Sequence, residues 1–99
     1  MVTQEQVVEA LRAVADPEVG FNIIDLGLVY DVDIREERVW IAMTLTSPVC
    51  PAGDVILKDA KEALESLPGV SEGVVELVWR PRWDPRYMAS NEVRMQLGL

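Results

Sequence analysis

Two runs of alternating apolar and polar residues, joined by a short polar turn, constrain the fold of this chain more than any other feature. In the first run, from Leu28 to Ile34, every second residue is apolar, and the sequence REER follows it. In the second run, from Val39 to Thr46, one face carries Val39, Ile41, Met43 and Leu45. Period-two alternation is typical of half-buried strands, so the pattern predicts an antiparallel strand pair.

Helical periodicity flanks this strand pair on both sides. A first helix is expected from about Gln4 to Ala15, and Asp16-Pro17 ends it, because the residue before a proline is disfavoured in a helix. A second helix is expected from about Pro51–Gly53 to Leu67.

A third strand and two short helical pieces complete the predicted elements. The strand is expected at Val74 to Trp79, and the helical pieces at the capping residues Asp84 and Ser90. The order α-β-β-α-β-α predicts a two-layer α+β domain, with a small three-stranded mixed sheet covered by helices. A right-handed crossover through the second helix makes strands two and three parallel. Residues 1–99 are expected to form a single domain.

Charge and composition exclude several classes of function. The net charge of −8 repels phosphate backbones and anionic lipid, so neither nucleic acid nor membrane is an expected partner. Histidine is absent from the sequence, which removes the commonest general base and metal ligand. One cysteine cannot form an internal disulfide, and "MVTQEQVVEA" lacks the features of a signal peptide. A cytoplasmic location is therefore expected.

The single cysteine, Cys50, lies in "LTSPVCPAGD" at the predicted junction between a strand and a helix. Pro51 suits the first position of that helix. A helix N-terminus stabilises an anion, so a cysteine placed there can have a lowered pKa, and the thiolate is the form that binds metal or attacks. The alternative is that the free cysteine is a small apolar residue that fills the junction between the helix and the sheet. The position of Cys50 leaves both interpretations open.

A second polar group precedes the first strand and consists of Asn22, Asp25 and Gly27. Antiparallel pairing of the two strands would bring Asp25 and Gly27 to the same edge of the sheet as Thr46 and Cys50. A structural role for Asp25, in an Asx-type turn or in capping loop N–H groups, is the alternative. The two roles are compatible.

The tail interleaves aromatic and basic residues, among them Trp79, Arg82 and Trp83. Such a pattern can stack nucleobases, but the net charge disfavours this use. We expect the two tryptophans to close the core or a groove that faces a partner.

Four stretches resemble a known family, the SufT- and PaaD-like iron–sulfur cluster assembly domain, also found in the small subunit of the eukaryotic cytosolic cluster-targeting complex. They are DPEVGFNIIDLGLVYDV (16–32), MTLTSPVCPAG (43–53), LPGV (67–70) and PRWDPRYMASNEVRMQLGL (81–99). The sequence departs from the family in its tail, where "MASNE" stands in place of Met-Ser-Glu.

The resemblance implies an α+β fold and a role in the maturation of iron–sulfur proteins, together with other assembly factors and client apoproteins. It also implies that Cys50 is the family's reactive cysteine and that Asp25 is its characteristic aspartate. The remaining residues expected in the functional loop are Asn22, Gly27, Thr44, Thr46 and Pro51.

Three functions are compatible with one thiol, because an iron–sulfur cluster takes four thiolates or close substitutes. The first is a transient carrier of a cluster that is not permanently bound. Cys50 would share it with a second subunit, a client or a small thiol, and Asp25 would be a ligand or an orienting group. A homodimer would bring two copies of Cys50 together. The second is an adaptor without metal, such as an accessory of oxygenase maturation, and the third is a thiol redox protein. A turnover enzyme is the weakest case, since no base or second thiol stands at a recognisable spacing from Cys50.

Overall fold

The computed structural model describes residues 2–49 and 51–99, and within these ranges the chain forms helices packed on a mixed sheet. In chain order the elements are α1 (Gln4–Leu11), β1 (Ala15–Asp16), β2 (Phe21–Asn22), β3 (Val29–Arg35), β4 (Arg38–Met43), α2 (Gly53–Glu65), β5 (Glu72–Leu77), α3 (Pro85–Met88) and α4 (Asn91–Leu97). The predicted α+β class is confirmed. None of the helices in these two ranges is long and apolar enough to cross a membrane.

The main sheet has the strand order β3-β4-β5. β3 and β4 pair antiparallel around the Glu36-Glu37 turn, with Ile34 opposite Val39. β4 and β5 pair in parallel, with Ile41 opposite Val75, and α2 connects them. The predicted hairpin and the predicted parallel pair are both confirmed.

One face of this sheet packs against α1 and α2. The strand residues that were predicted to share a face are all buried, and so are the central apolar residues of the two helices. These buried residues are Val39, Ile41, Met43 and Leu45 from the strand and its extension, Val7 and Leu11 from α1, and Ile56, Ala60 and Leu64 from α2. Full burial of each large aliphatic side chain contributes about 1.5–3 kcal/mol. Period-two alternation therefore predicted the buried face of β4 correctly.

A small hairpin, β1–β2, stands where the sequence analysis expected the end of a helix and a loop. The helix ends at Leu11, so its predicted extension to Ala15 is wrong. Val14 leaves the helix and its carbonyl accepts a hydrogen bond from the Ile23 N–H at 2.9 Å. Gly20, at φ 78°, lies in the turn between the two strands. Strands of two residues are too short to leave a period-two pattern in the sequence.

β4 ends at Met43, three residues before the predicted end at Thr46. The reason lies in its neighbours. β3 begins at Val29, opposite Met43, and β5 ends at Leu77, also opposite Met43, so no strand residue remains to pair further along. The regular strand therefore ends at Met43, and one further backbone hydrogen bond, from the Thr44 N–H to the Leu28 carbonyl, follows it.

A β-bulge at the start of β3 redirects Tyr30. The register shifts between Val29 and Asp31, which leaves Tyr30 as the extra residue of the strand. Its hydroxyl donates to the carbonyl oxygen of Pro81 at 2.9 Å and contacts the Met88 Sδ at 3.6 Å. Burial raises the pKa of Tyr30 above its usual value, so the hydroxyl remains a donor at neutral pH. The bulge thus attaches the C-terminal segment to the sheet.

The predicted helix caps at Asp84 and Ser90 are confirmed, and α1 is capped as well. Thr3 and Gln6 form the capping box of α1. The Asp84 carboxylate accepts a hydrogen bond from the Arg86 N–H at 3.0 Å at the start of α3, and the Ser90 hydroxyl accepts one from the Val93 N–H at 3.3 Å at the start of α4. The side-chain hydrogen bond from Arg86, followed by the one from its N–H, lowers the pKa of Asp84.

Gly27 lies where the loop before β3 meets the C-terminal segment. Its φ is 76°, and a Cβ at this position would lie 2.1 Å from the carbonyl oxygen of Met88. Gly20 has a similar φ of 78° but nothing within 4 Å of the place of its Cβ. The close packing at Gly27 requires a residue without a side chain. At Gly20 a glycine is favoured only by the positive φ of the backbone.

We therefore expect Gly27→Ala to lower the free energy of unfolding by about 1–3 kcal/mol more than Gly20→Ala, because only the first adds a clash with backbone atoms. Urea unfolding followed by tryptophan fluorescence measures both variants. Equal destabilisation by the two substitutions would show that the contact with Met88 carries no energetic weight.

Candidate functional site

A buried carboxylate, Asp16, lies at the end of the sheet where β4 terminates. Its side chain is fully buried. The Asp16 Oδ1 atom accepts a hydrogen bond from the Glu18 N–H at 2.9 Å, and its Oδ2 atom accepts a longer one from the Thr46 hydroxyl at 3.4 Å. A charge removed from water is tolerated when hydrogen bonds satisfy it, so these contacts fix the position of the carboxylate.

Asp16 belongs to the site, but the sequence analysis treated it only as a helix stop. Asp16 directly follows the predicted helix in the sequence, and the conformational restriction before Pro17 was a sufficient explanation for a residue that ends a helix. The sequence does contain a signal for a turn here. Asp16 stands two residues before Glu18, whose N–H it can accept, and the segment ends at Gly20. That pattern indicates an Asx turn, but it does not predict burial.

The chain between β4 and α2 is held at both of its ends. Thr44 is buried, and its N–H donates to the Leu28 carbonyl at 2.8 Å. Thr46 is held by Asp16, as described above. Beyond the loop, α2 begins at Gly53 with Ala52 as its N-cap, a residue that has no side-chain acceptor for the first N–H groups of the helix.

The predicted reactive residue, Cys50, lies outside the described residues. Its neighbours on either side, Val49 and Pro51, are exposed, Val49 to 84%. The Val49 N–H donates to the hydroxyl of Ser47 at 3.3 Å, which gives the first half of the loop a local turn. The thiol therefore belongs to a short segment between Val49 and the first turn of α2.

A cleft of about 200 Å³ lies where the chain leaves β4. One wall is the chain that leaves β4, and the other is the aromatic and basic tail. The lining residues are Thr44, Leu45, Thr46, Ser47, Pro48, Trp79, Arg82 and Trp83. Five residues that the sequence analysis singled out in separate stretches thus meet in one place: Thr44, Thr46, Trp79, Arg82 and Trp83.

The two tryptophans of the cleft differ in their surroundings. Trp83 packs against the core, and its indole N–H donates to the Leu26 carbonyl at 2.7 Å. Trp79 is 44% exposed. Trp83 therefore anchors the tail, while Trp79 offers an aromatic surface at the rim of the cleft.

Asp25 takes part in a separate network. One carboxylate oxygen accepts from the Arg12 guanidinium at 2.8 Å, and the other accepts from the Asn22 amide at 3.0 Å. The Asp25 N–H donates to Asn22 Oδ1 at 2.8 Å, and its carbonyl accepts from the Ser90 N–H at 2.7 Å. These contacts tie the loop before β3 to α1 and to the start of α4. They supply the turn-forming role that was one of the two alternatives, and a metal-binding role would compete with Arg12 and Asn22 for the same oxygens.

The predicted site residues thus separate into two groups. Within the described ranges, the residue that hydrogen-bonds Thr46 is Asp16, whereas Asp25 bonds Arg12, Asn22 and Ser90. Gly27 lies beside Leu28, which pairs with Thr44, so this loop does reach the expected edge of the sheet. Across residues 2–49 and 51–99, no three histidine, cysteine, aspartate or glutamate side chains converge as a metal-binding group.

Comparison with known proteins identifies the family. Residues 4–77 match the family described as "Iron-sulfur cluster assembly protein". The Fe-S protein maturation auxiliary factor YitW of Bacillus subtilis is 43% identical over 97 residues, which cover 97% of this chain and 94% of that protein. A protein of Porphyromonas gingivalis named Fe-S protein maturation auxiliary factor is 42% identical over 97 residues, covering 97% of this chain and 91% of the other.

The fold is also found among solved structures. A conserved hypothetical protein from Thermotoga maritima has a TM-score of 0.87 and 42% sequence identity, covering 99% of this chain and 96% of the other. The resemblance stated from the sequence motifs is confirmed by these matches.

Substitution of Asp16 tests whether the buried carboxylate organises this end of the sheet. We expect Asp16→Ala to lower the free energy of unfolding by about 1–3 kcal/mol, because it leaves a partly buried N–H without its acceptor. Asp16→Asn keeps an acceptor and should recover part of the loss. Both are measured by urea unfolding.

Asp59→Ala, on the exposed face of α2, is the matched control and should change stability by no more than about 0.5 kcal/mol. If Asp16→Ala and Asp59→Ala have equal effects, the buried carboxylate contributes nothing to this region.

Proposed function

Because this chain belongs to the iron–sulfur cluster assembly protein family, we propose that it is an accessory factor that assists cluster assembly or transfer to client proteins, acting through the thiol of Cys50. The cluster is cargo in this proposal and not a resident cofactor. Its partners are other assembly factors and client apoproteins, and its location is the cytoplasm. The chain acts as a maturation factor and not as a turnover enzyme.

The observation that supports this proposal is the anchoring of the chain on the two sides of Cys50. Thr46, four residues before the cysteine, contacts the buried Asp16, and α2 starts three residues after the cysteine. The few residues between these points limit how far the thiol can move from one exchange of cargo to the next. Preorganisation of this kind reduces the entropy lost on binding.

The start of α2 favours an anionic thiol. The partial positive charge of a helix N-terminus stabilises a thiolate, and Ala52 has no side chain that would compete for the first N–H groups. Asp54 in the first turn offsets part of this effect. A thiolate is the form in which cysteine binds iron.

The number of thiols in the chain explains why the cluster would be transient. A cluster takes four cysteine ligands or close substitutes, and this sequence contains one cysteine and no histidine. The other ligands would come from a second copy, a client or a small thiol. A two-fold dimer would supply two equivalent thiolates. Cargo held partly by other molecules is easily released to them.

An adaptor without metal is the second candidate function. Val49 is 84% exposed, and Trp79 is 44% exposed at the rim of the cleft. Exposed apolar and aromatic residues are typical of protein-binding surfaces. In this version the cleft recognises a partner and Cys50 is one contact among several.

Anaerobic reconstitution with iron and sulfide separates these two functions. We expect the wild-type protein to develop visible absorption with less than one cluster per chain and to elute as a dimer, because one thiol per chain must be shared. Cys50→Ser should remain colourless with an unchanged circular dichroism spectrum. Iron and sulfide content and the elution volume are measured on the same samples.

The double variant Cys50→Ser/Ser71→Cys is the matched control, since it keeps one thiol but moves it to an exposed position near the β3–β4 turn. Equal cluster content in the wild type and this double variant would mean that any exposed thiol suffices. A colourless wild-type protein would leave the adaptor as the function of this chain.

A further inference from the structure

The C-terminal helices present apolar side chains to solvent. Tyr87 is 81% exposed, Met95 78% and Leu99 55%, while Val93 is the buried residue of α4. Met95 and Leu99 belong to an open groove of about 610 Å³, which we call the α4 groove, and which is lined by Arg86, Asn91, Arg94, Met95 and Leu99.

Local backbone structure holds these side chains in place. Gly98 adopts a left-handed conformation at φ 79°, and its N–H donates to the Met95 carbonyl at 3.2 Å. The Leu99 N–H donates to the Arg94 carbonyl at 2.8 Å. These two bonds close the end of α4 in the manner of a Schellman motif, which brings the chain back along the helix. The apolar wall of the α4 groove is therefore part of an ordered helix end.

The charge of this region is opposite to that of the rest of the chain. Residues 80–99 contain four arginines and two carboxylates, a net charge of +2, whereas residues 1–79 contain five basic and fifteen acidic residues, a net charge of −10. A local excess of arginine in a strongly acidic protein creates a field that attracts anionic groups to one end.

Within the described residues, one arginine of the α4 groove has no carboxylate partner. Arg86 pairs with Asp84 at 3.3 Å. Arg94 instead donates to the Arg86 carbonyl at 3.0 Å and to the side-chain oxygen of Asn91, both neutral acceptors. These contacts orient the guanidinium of Arg94 but do not neutralise its positive charge.

We propose that the α4 groove docks a short segment of a partner protein that combines acidic and apolar side chains. A carboxylate of the segment pairs with Arg94, and Arg86 adds to the attraction. An apolar side chain packs against Met95 and Leu99. Arginine beside exposed apolar groups is the composition enriched in protein-binding surfaces.

Two other occupants fit the α4 groove less well. A second copy joined by a two-fold axis would bring Arg86 and Arg94 of both chains to the same interface, and like charges there are unfavourable. Nucleic acid would gain from the arginines, but the acidic remainder of the chain repels a long polyanion, and Met95 and Leu99 would gain nothing from phosphate.

Docking at this groove is independent of the proposed cluster chemistry. The α4 groove shares no lining residue with the cleft where the chain leaves β4. Cys50→Ser should therefore leave docking unchanged. Failure of cluster reconstitution does not affect this proposal, and failure of docking does not affect the proposed function.

The test uses fluorescence anisotropy with three labelled twelve-residue peptides of matched length. The first combines Asp and Glu with Leu and Phe, the second replaces Leu and Phe with Ser, and the third replaces the acids with Lys. We expect the first to bind at least about tenfold more tightly than either of the others, and to weaken as salt screens the charges. A labelled oligothymidylate of twelve nucleotides is measured in parallel.

Variants then localise the binding. Arg94→Glu should weaken binding of the acidic–apolar peptide at least about tenfold, and Met95→Ser should weaken it by a smaller factor. Arg35→Glu is the matched control, because it makes the same change in net charge on the exposed end of β3 and should have no comparable effect. Thermal unfolding checks that the variants remain folded.

Four results of the binding measurements would overturn the proposal. They are absence of saturable peptide binding, equal binding of all three peptides, equal loss in Arg35→Glu and Arg94→Glu, and tighter binding of the oligothymidylate than of the peptide. A fifth result would also overturn the proposal: the particle size grows with protein concentration, and Arg94→Glu abolishes this growth. The groove would then be assigned to a second copy of the chain.

Discussion

The burial of Asp16 is the constraint on which this end of the molecule depends. A carboxylate without exposure to solvent needs hydrogen bonds, and Asp16 obtains them from the Glu18 N–H and the Thr46 hydroxyl. The first contact shapes the β1–β2 turn, and the second joins that hairpin to the chain leaving β4. The chain that leaves β4 is thus joined at Thr46 to a residue thirty positions earlier in the sequence.

Three contacts bring the C-terminal segment to the same edge of the sheet. The Trp83 indole bonds the loop before β3, the Tyr30 hydroxyl bonds Pro81, and Gly27 allows Met88 to approach the backbone. The tail in this way becomes one wall of the cleft where the chain leaves β4. The same tail carries the α4 groove, which shares no lining residue with that cleft. In the functions proposed above, this small fold would separate a site for cargo from a surface for a partner.

Sequence reasoning recovered the features that depend on local patterns. Alternation located β3 and β4, helical spacing gave the buried faces of α1 and α2, and capping residues such as Ser90 marked helix starts. It missed the β1–β2 hairpin and the bulge at Tyr30, because both are fixed by contacts between distant segments. For the same reason it selected Asp25 and passed over Asp16. Asp16 and Asp25 both lie in or next to a turn. Contacts between distant segments determine which of the two carboxylates hydrogen-bonds Thr46.

The pH dependence of Cys50 alkylation by iodoacetamide tests the central proposal that this cysteine, three residues before α2 in the sequence, reacts as a thiolate favoured by the helix N-terminus, and that the contact between Asp16 and Thr46 contributes to this. The account predicts an apparent thiol pKa below the free value of about 8.5 in the wild type. In Thr46→Val, which removes the hydroxyl donor, it predicts a pKa that moves back toward about 8.5 while the protein stays folded. Identical profiles for the two proteins, with an apparent pKa at or above about 8.5, would contradict it.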